Sequence, residues 1–446
     1  MKKILFFILI VMVQNLQARV YFVATNGNDD NPGSITQPWL TWQKGFDAAV
    51  AGDTIFIRGG IYYTAGILRG GQCIGVSVSS KSGSAEKPVT IQAYSGETPV
   101  LDGSPMTANV RRRGIHLSNC SHFVLRGLTV RNVREYGQFP GCPLAESISM
   151  AGCSHIHFER CTVHDCGNGF GTSGFCDQIS FVNCDAYNNI DFSDNGGYAN
   201  GWTLTMYLSP GVYASGTHVT LKGCRSWGNS DDGYDMYGAN GYFEYSDCWA
   251  FDNGRYNGNG DGFKSYQKGE KESGIQRKYI RCIAFKNKGS GFKSPPQAIE
   301  SLVNCVSYSN DENGFGYNTG SNLPCIFRNN VSFDNKRSQY AGLPDFINEN
   351  NSWNKGLKAV RSDFVSLDTT GVSGRRKADG TLPDLMFLKL REDSGLIDKG
   401  TDTGLPYSGN APDLGAYEFT AAAGQSVRTP ASVLIRMYLS LVLPWI

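Results

Sequence analysis

The stretch Cys184-Asp185-Ala186-Tyr187-Asn188-Asn189 contains the pattern that decides the fold. Its form is Cys or Asn, any residue, Ala or Ser, an aromatic residue, any residue, Asn. Further copies begin at Cys224, Cys248, Cys282, Cys305 and Asn330. The six copies start 40, 24, 34, 23 and 25 residues apart, so the basic unit has 23 to 25 residues and two units carry longer insertions.

A unit of this length cannot bury its own apolar face, but stacked units bury a continuous core. Each strand then pairs with equivalent strands in the neighbouring coils. We therefore predict an all-β chain that forms a right-handed parallel β-helix with an N-terminal capping helix. Equivalent residues form columns in such a stack, so the repeated Cys should be buried thiols and the repeated Asn an internal hydrogen-bonded ladder.

A second pattern, a polar residue followed by Gly and an aromatic residue, accompanies the first. Its copies begin at Asn168, Asn200, Asp232, Asp261, Ser290 and Asn313. If the aromatic ring points into the core, strand alternation turns the next residue outward. Those outward residues are Gly171, Thr203, Asp235, Lys264, Lys293 and Gly316. Asp235, Lys264 and Lys293 should then be vertical neighbours on one exposed face.

The flanking segments predict caps. Strand-like stretches at 20–23 and 54–57 enclose a short helical stretch from about Leu40 to Val50. We expect this helix to cover the open end of the first coil, because a solenoid needs capped ends. The predicted organisation is an N-terminal cap with the first coils (19–100), a catalytic β-helix core (101–356), a C-terminal cap (357–420) and a tail without an assigned role (421–446).

Residues 1–18 predict a signal peptide. Lys2 and Lys3 precede an apolar run from Ile4 to Val13, and a small-residue cleavage site ends at Ala18. The cleavage point carries no Cys, so we predict no lipid anchor, and no later apolar run is long enough to span a membrane. We expect a secreted or periplasmic protein.

The charge balance limits the possible partners. The net charge is +1 over 446 residues, so no long-range field attracts a polyanion. We therefore do not expect nucleic-acid binding, and an anionic partner has to be held by local clusters. We expect the protein to be a monomer.

Three carboxylates lie within five residues in the stretch 231–235, at a junction between turn and strand. Such a cluster of hard oxygen atoms suits Ca²⁺, although an isolated acidic turn is more often simply solvated. Here Asn200 and Asp261 flank Asp232 in the neighbouring coils and bring further oxygen atoms. This arrangement favours a calcium site.

The charge reverses after the acidic cluster, with a local net charge of +7 between Lys264 and Lys293. Most of these cations should face solvent, but Lys264 adjoins Asp235. Cleaving a uronate polymer by elimination requires a base that removes the proton at C5, while a cation on the carboxylate stabilises the charge that develops. A neutral Lys264 fits the role of base, because Lys293 and a metal ion would lower its pKa. Lys293, Arg277 and Arg281 are predicted to bind substrate carboxylates.

The coils from about Cys161 to Asn335 resemble polysaccharide lyase family 9, whose members are parallel β-helices that act on pectic polymers. The most specific matches are the stretches 231–235 and 260–264. The resemblance implies Ca²⁺ ligation by Asp231, Asp232 and Asp235, and proton abstraction by Lys264. Asn200 is the fourth implied ligand and stands where pectate-cleaving members carry Asp. The implied substrate is an acidic plant cell-wall polysaccharide, either homogalacturonan or rhamnogalacturonan I.

Other functions fit the same residues. A hydrolase on this scaffold would use two of the Asp residues as acid and base. A glycan-binding β-helix without turnover would use exposed aromatic residues, and a uronate epimerase would share the first proton abstraction. The basic run Arg111-Arg112-Arg113 contacts either substrate or solvent, and solvent is the simpler interpretation.

Overall fold

The computed structural model describes residues 18–135, 145–192, 195–209, 212–213, 216–266, 276–294, 299–317, 325–342, 347–354 and 356–420. The predicted signal peptide lies outside the described residues except for Ala18, and the predicted tail 421–446 lies outside them entirely. In the part of the chain that is described, the strands form three long sheets. One α-helix, Trp42–Ala48, and one 3-10 helix, Arg361–Asp363, accompany them.

Sheets 1 and 2 are parallel throughout. Sheet 1 contains Val20–Val23, Thr54–Ile57, Val89–Ala93, Ser121–Arg126, Ser154–Glu159, Asp177–Val182, His218–Lys222, Tyr242–Ser246, Arg277–Ile280, Glu300–Val303, Ile326–Arg328 and Ile347–Glu349. Sheet 2 contains Gly60–Tyr63, Pro99–Asp102, Thr129–Arg131, Thr162–His164, Asp185–Tyr187, Arg225–Trp227, Trp249–Phe251, Ile283–Phe285, Val306–Tyr308 and Val331–Phe333.

Sheet 3 carries the outward residues predicted from the second pattern. It contains Ile67–Arg69, Gln72–Ser79, Arg111–Ser118, Ala145–Ala151, Asn168–Ser173, Trp202–Ser209, Val212–Tyr213, Tyr234–Tyr237, Phe263–Tyr266, Phe292–Ser294, Asn313–Tyr317 and Ser338–Ala341. Its strands are parallel except for two antiparallel pairs, Ile67–Arg69 with Gln72–Ser79 and Trp202–Ser209 with Val212–Tyr213. From Val89–Ala93 onward the strands fall in sheets 1, 2 and 3 in turn, apart from the pair Trp202–Ser209 and Val212–Tyr213, and equivalent strands pair one coil apart, so the predicted parallel β-helix is confirmed.

The repeated Asn residues form the predicted internal ladder. The Nδ2 of each Asn donates to the Oδ1 of the Asn one coil further on, at 2.9 to 3.0 Å. Its members are Asn189, Asn229, Asn253, Asn287, Asn310 and Asn335. Buried amides must find partners, and the repeat supplies each of them one coil away.

The core is filled by columns of equivalent side chains. Phe170, Trp202, Tyr234, Phe263, Phe292 and Phe315 stack with ring centroids 4.7 to 5.0 Å apart. All twelve described cysteines are buried and free. The predicted use of the repeated Cys as small apolar residues is therefore confirmed.

The helix Trp42–Ala48 lies at the first coil. Its N-cap residue Thr41 accepts a hydrogen bond from the backbone N–H of Lys44. Trp42 and Phe46 are buried in the main core. The helix and sheet 1 approach closely at Gly45, where a Cβ atom would lie 3.0 Å from Ile55 and from Val23.

The segment after residue 356 packs on the outer face of sheet 2. Phe364, Phe387 and Leu388 bury there against outward aromatic residues such as Phe285 and Tyr308. This second apolar cluster explains why sheet 2 carries aromatic residues on its outer side. Within the described residues, no helix has the length and apolar character needed to cross a bilayer.

Candidate active site

Two columns of side chains on sheet 3 build the candidate site. The polar column consists of the first residues of the second pattern, Asn168, Asn200, Asp232, Asp261, Ser290 and Asn313. The outward column consists of Gly171, Thr203, Asp235, Lys264, Lys293 and Gly316, each three residues further along. The register pairs Thr203 with Asp235, Asp235 with Lys264, and Lys264 with Lys293. The predicted vertical register is thereby confirmed, although Asp235 is buried and not exposed.

Hydrogen bonds fix the polar column to the backbone. Oδ1 of Asn168 accepts the backbone N–H of Asn200 at 2.9 Å, and Oδ1 of Asn200 accepts that of Asp232 at 2.9 Å. Oδ1 of Asp232 accepts the N–H of Asp261 at 2.7 Å, and Oδ1 of Asp261 accepts that of Ser290 at 2.8 Å. Each side chain is thus held by the next coil, and its second terminal atom has a fixed direction.

That second atom lies beside the outward residue of the next coil. Oδ2 of Asp232 is 2.7 Å from Nζ of Lys264, and Oδ2 of Asp261 is 2.9 Å from Nζ of Lys293. Both carboxylates are fully buried, whereas the Lys264 side chain is 17% and the Lys293 side chain 40% exposed. Two successive coils therefore present the same arrangement of a buried carboxylate and an outward ammonium.

The acidic cluster is closely packed. Asp231, Asp232 and Asp235 are all buried. Oδ1 of Asp231 accepts the backbone N–H of Asn259 at 2.7 Å. Burial and the charge of Asp232 raise the pKa of Asp231 to about 8. A carboxyl group with this pKa keeps its proton at neutral pH, and a bound cation would favour its ionised form.

Asn200 turns its amide nitrogen toward the acidic cluster. Its Oδ1 accepts the N–H of Asp232, so Nδ2 lies 3.1 Å from Thr203 Oγ1 and 3.4 Å from Asp235 Oδ2. The backbone bond determines which end of the amide faces Asp235. At the position where the sequence resemblance implies an oxygen ligand, the structure therefore places an N–H donor.

The charge state of Lys264 follows from its neighbours. Burial lowers the pKa of this ammonium, but attraction by Asp232, Asp235 and Asp231 outweighs burial and raises the pKa above its ordinary value. Burial likewise lowers the pKa of Lys293, and Asp261 raises it more. With these carboxylates uncompensated, both lysines are protonated at neutral pH.

The cluster has the oxygen ligands that a Ca²⁺ site needs, but they are not arranged to coordinate a metal ion. Within the described residues, no group of three or more His, Cys, Asp or Glu side chains converges as a ready ligand set. Asp232 uses one oxygen for Lys264 and the other for a backbone N–H. Oxygen atoms from three buried carboxylates within five residues still fit Ca²⁺, provided that the ammonium of Lys264 moves away from Oδ2 of Asp232.

Arg277, which was predicted to bind substrate, lies away from the candidate site. Its side chain is fully buried, and its guanidinium donates to the backbone carbonyls of Gly241 and Ala239. This corrects the predicted contact with substrate, because a guanidinium committed to the interior cannot reach a polymer on the surface. Arg277 lies two residues before the buried Tyr279, so strand alternation contained the signal for its inward direction.

Arg281 lies elsewhere on the surface. It forms two hydrogen bonds with Asp247, at 2.7 and 3.0 Å. Both residues directly precede a repeated Cys, Cys248 and Cys282, and so occupy the turn that leads from sheet 1 to sheet 2. The structure does not bring Arg281 to the face that carries Lys264.

Sequence reasoning missed a cavity beside Lys293. The cavity has a volume of about 360 Å³, and its lining includes Glu312, Asn313, Gly316 and Arg337. Gly316 follows Lys293 in the outward column, so the column has no side chain in the coil after Lys293. The glycine at an outward position was the available signal, since it opens space next to a charged rung.

The chain is similar to known proteins over nearly its whole length. Residues 21–351 match a family described as Pel9A-like, right-handed β-helix region. Pectate lyase L of Dickeya dadantii is 32% identical over 416 residues, which cover 90% of each chain. The crystal structure of pectate lyase Pel9A has 29% identity, covers 91% of this chain and 98% of its own, and superposes with a TM-score of 0.71. A rhamnogalacturonan lyase structure superposes equally well, at 0.71, with 23% identity over 84% of this chain and 97% of its own, which shows the shared fold.

Proposed function

The chain belongs to the Pel9A-like right-handed β-helix family, polysaccharide lyase family 9, and from this premise we propose that it cleaves an acidic pectic polysaccharide by calcium-assisted β-elimination. Lys264 is the base in this proposal. The observation that carries it is the placement of Lys264 one rung after Asp235 and in contact with Asp232. An outward amine beside a carboxylate cluster that can hold a cation offers both groups that the elimination needs, a base and stabilisation of the negative charge that develops.

Lys264 removes the proton at C5 of a uronate ring. The electron pair of the C5–H bond becomes a double bond between C4 and C5, the bond between C4 and its glycosidic oxygen breaks, and that oxygen takes a proton from solvent to leave as a hydroxyl group. The C5 proton is only weakly acidic, so the base has to be held close to it and the negative charge has to be stabilised as it develops. The bond between Asp232 and the next coil fixes the side chain against which Lys264 rests.

The base must be neutral when it acts, whereas Asp232, Asp235 and Asp231 favour its protonated form. Proton abstraction therefore requires that the charge of these carboxylates be compensated first. When bound to Asp231, Asp232 and Asp235, Ca²⁺ supplies that compensation and withdraws negative charge from the substrate carboxylate. In this structure Asn200 supports the set by donating to Asp235.

Lys293 binds the substrate next to the reacting ring. It is the next outward residue, and its side chain borders the cavity of about 360 Å³. A cavity of this size accommodates part of a polymer, and the ammonium of Lys293 with the guanidinium of Arg337 offers charge to a carboxylate there. Homogalacturonan and rhamnogalacturonan I both carry such carboxylates.

The remaining parts of the proposal follow from the substrate. A plant cell-wall polymer lies outside the cell that degrades it, so we propose secretion through the predicted signal peptide 1–18. The coils within 101–356 form the catalytic unit, because every residue of the candidate site falls in that range.

The decisive assay follows ultraviolet absorbance of the conjugated double bond on polygalacturonate and on rhamnogalacturonan I, with and without a chelator. We expect the absorbance to rise with one of the two substrates and the rise to disappear when chelator is added. Lys264→Ala should lower kcat by at least about a thousandfold. Lys278→Ala is the matched control, since Lys278 pairs with Glu244 at 3.2 Å on sheet 1. Saturated products would indicate a hydrolase, and C5 inversion without cleavage an epimerase. A fully active Lys264→Ala variant would show that another residue is the base.

A further inference from the structure

The two columns of the candidate site continue toward the N-terminus. Glu146 pairs with Asn168, and Arg113 pairs with Glu146, so both extend the polar column. Ser149 pairs with Gly171, and His116 pairs with Ser149, so both extend the outward column. The face that carries Lys264 therefore also carries a second polar cluster, which the proposed reaction does not use.

These side chains form one network with Arg111. Nε of Arg113 lies 2.8 Å from Oε2 of Glu146, and Nη2 of Arg111 donates to Oε1 of Glu146 at 3.2 Å. Nη1 of Arg113 lies 2.9 Å from the ring nitrogens of His116, and Nδ1 of His116 lies 3.0 Å from Oγ of Ser149. Glu146 thus neutralises one of two arginines.

The network is largely buried although it faces outward. The side chains of Arg113 and Glu146 are 7% and 14% exposed, and that of Arg111 is 39% exposed. Burial and Arg113 lower the pKa of His116 to about 4, so this ring is neutral. One positive charge is left over, and Arg111 presents it to solvent. Charges are costly to bury, so a surplus cation supported by a buried network points to a ligand.

Two neighbouring polar atoms lack partners. Nε of Arg111 is buried without a hydrogen-bond partner among the described residues, and so is Oε1 of Gln72. Gln72 and Arg111 are register partners in sheet 3. Because both atoms are enclosed, a uronate carboxylate would contact the exposed part of the Arg111 side chain, which is 39% exposed, and not these two atoms.

The outward column between this cluster and Lys264 carries mainly small side chains. Five rungs of the outward column separate His116 from Lys264, a distance of about 24 Å at the usual strand spacing. Gly171 contributes no side chain to this path, and Thr203 contributes a small one. A polymer that lies along the column over Lys264 would reach Arg111 several rings away.

We propose that Arg111, supported by Glu146, Arg113 and His116, forms a distal subsite that binds a uronate carboxylate of the polymer being cleaved. The inference rests on the proposed function and adds an extended binding face to it. Arg112 and Arg113 are buried, so the simpler interpretation of the run 111–113 as solvated does not hold for these two residues. Arg112 has a structural role, because its side chain donates to the carbonyls of Ala108 and Arg134.

The test compares Arg111→Ala with Arg126→Ala on polygalacturonate and on a trigalacturonate too short to reach the subsite. Arg126 is a matched control on sheet 1, 36% exposed and paired with Glu159. We expect Arg111→Ala to raise KM for the polymer about three- to tenfold with kcat unchanged. KM for the trimer should stay the same, and Arg126→Ala should behave as wild type on both. Arg111→Lys should restore part of the affinity, and the melting temperature reports whether each variant is folded.

An equal effect of Arg111→Ala on trimer and polymer, or no difference from Arg126→Ala, would overturn the subsite. If the wild type cleaves neither substrate, the proposed function fails, and calorimetric binding of polygalacturonate then tests the subsite by itself. Weaker binding by Arg111→Ala than by Arg126→Ala would support it. Equal binding by the two variants would exclude it.

Discussion

Nζ of Lys264 lies 2.7 Å from Oδ2 of Asp232, so the proposed base and a proposed metal ligand form one ion pair. The other oxygen of Asp232 accepts the backbone N–H of Asp261 at 2.7 Å, which fixes the direction of the carboxylate. The position of the base is therefore set by the backbone of the coil that carries it. A cation that bound Oδ2 of Asp232 would compete with this ammonium, and such competition would link metal binding to the charge state of the proposed base.

Asn200→Asp should bind Ca²⁺ more tightly, by about tenfold, because it replaces the N–H donor facing Asp235 with a carboxylate oxygen. Without Ca²⁺ the variant should melt at a lower temperature than wild type, since two carboxylates then face each other. Calorimetric Ca²⁺ titration and the shift of melting temperature on adding Ca²⁺ measure both effects without substrate.

Asn168→Asp is the matched control for Asn200→Asp, because it adds the same charge one coil further from Asp235 in the same column. We expect its Ca²⁺ affinity to stay within about twofold of wild type. Equal gains in the two variants would mean that overall charge, and not the place of Asn200, sets the affinity. Unchanged affinity in Asn200→Asp would remove this position from the metal site.

Loss of Lys293 should weaken substrate binding without affecting the chemical step. Lys293→Met in an Asp261→Asn background avoids leaving a buried carboxylate unpaired, and Asn keeps the oxygen that accepts the N–H of Ser290. We expect KM to rise about three- to tenfold with kcat within about twofold of wild type. Initial rates from ultraviolet absorbance measure both constants.

Lys336→Ala is the control for this double variant. Lys336 is 68% exposed and pairs with Asp311, yet it adjoins Arg337, which lines the same cavity as Lys293. Its removal should leave KM unchanged. A KM for the double variant equal to that of Lys336→Ala would argue against a substrate contact by Lys293, and a large fall in kcat would place Lys293 in the chemical step.

The sequence predicts most of the fold, because a repeat turns local patterns into columns. Fixed offsets between Cys, the aromatic residue and Asn are enough to infer the buried thiols, the stacked rings and the Asn ladder. Strand alternation then predicts the register of Asp235, Lys264 and Lys293. Each of these inferences requires only two facts about a residue, namely the sheet face to which it points and the coil in which it lies.

The side-chain contacts within the site cannot be predicted from face and coil alone. Alternation places Asp235 directly beside Lys264, whereas the ammonium pairs with Asp232, three residues before Asp235. Whether a side chain of the outward column contacts the polar column depends on the backbone hydrogen bonds that orient the polar residues. The sequence period does not predict these bonds. The same bonds turn the amide of Asn200, so its donor end faces Asp235 against expectation.

The Asn ladder should carry a measurable share of the stability. Asn253 is buried, accepts from Asn229 through Oδ1, and donates through Nδ2 to Asn287 at 3.0 Å. Asn253→Ala leaves buried polar groups unpaired on both sides, so we expect the free energy of unfolding to fall by about 3 kcal/mol. Denaturant unfolding measures the change. Asn257→Ala, on an exposed loop, should change it by less than about 0.5 kcal/mol, and equal losses in the two variants would contradict a role for the ladder.

Stability should fall as pH rises through the titration of Glu418 in the C-terminal segment. Burial, together with the charge of Asp413, raises the pKa of Glu418 to about 7 from an ordinary value of 4.5. Between these values the native state holds a proton that the unfolded chain releases, so the stability that the proton provides is complete below about 4.5 and is lost by about 7. Glu418→Gln removes this titration, so its melting temperature should fall less than that of wild type between pH 5 and pH 8. Glu392→Gln, at an exposed site in the same segment, should follow the wild-type slope, and an unchanged slope in Glu418→Gln would assign the pH dependence to other groups.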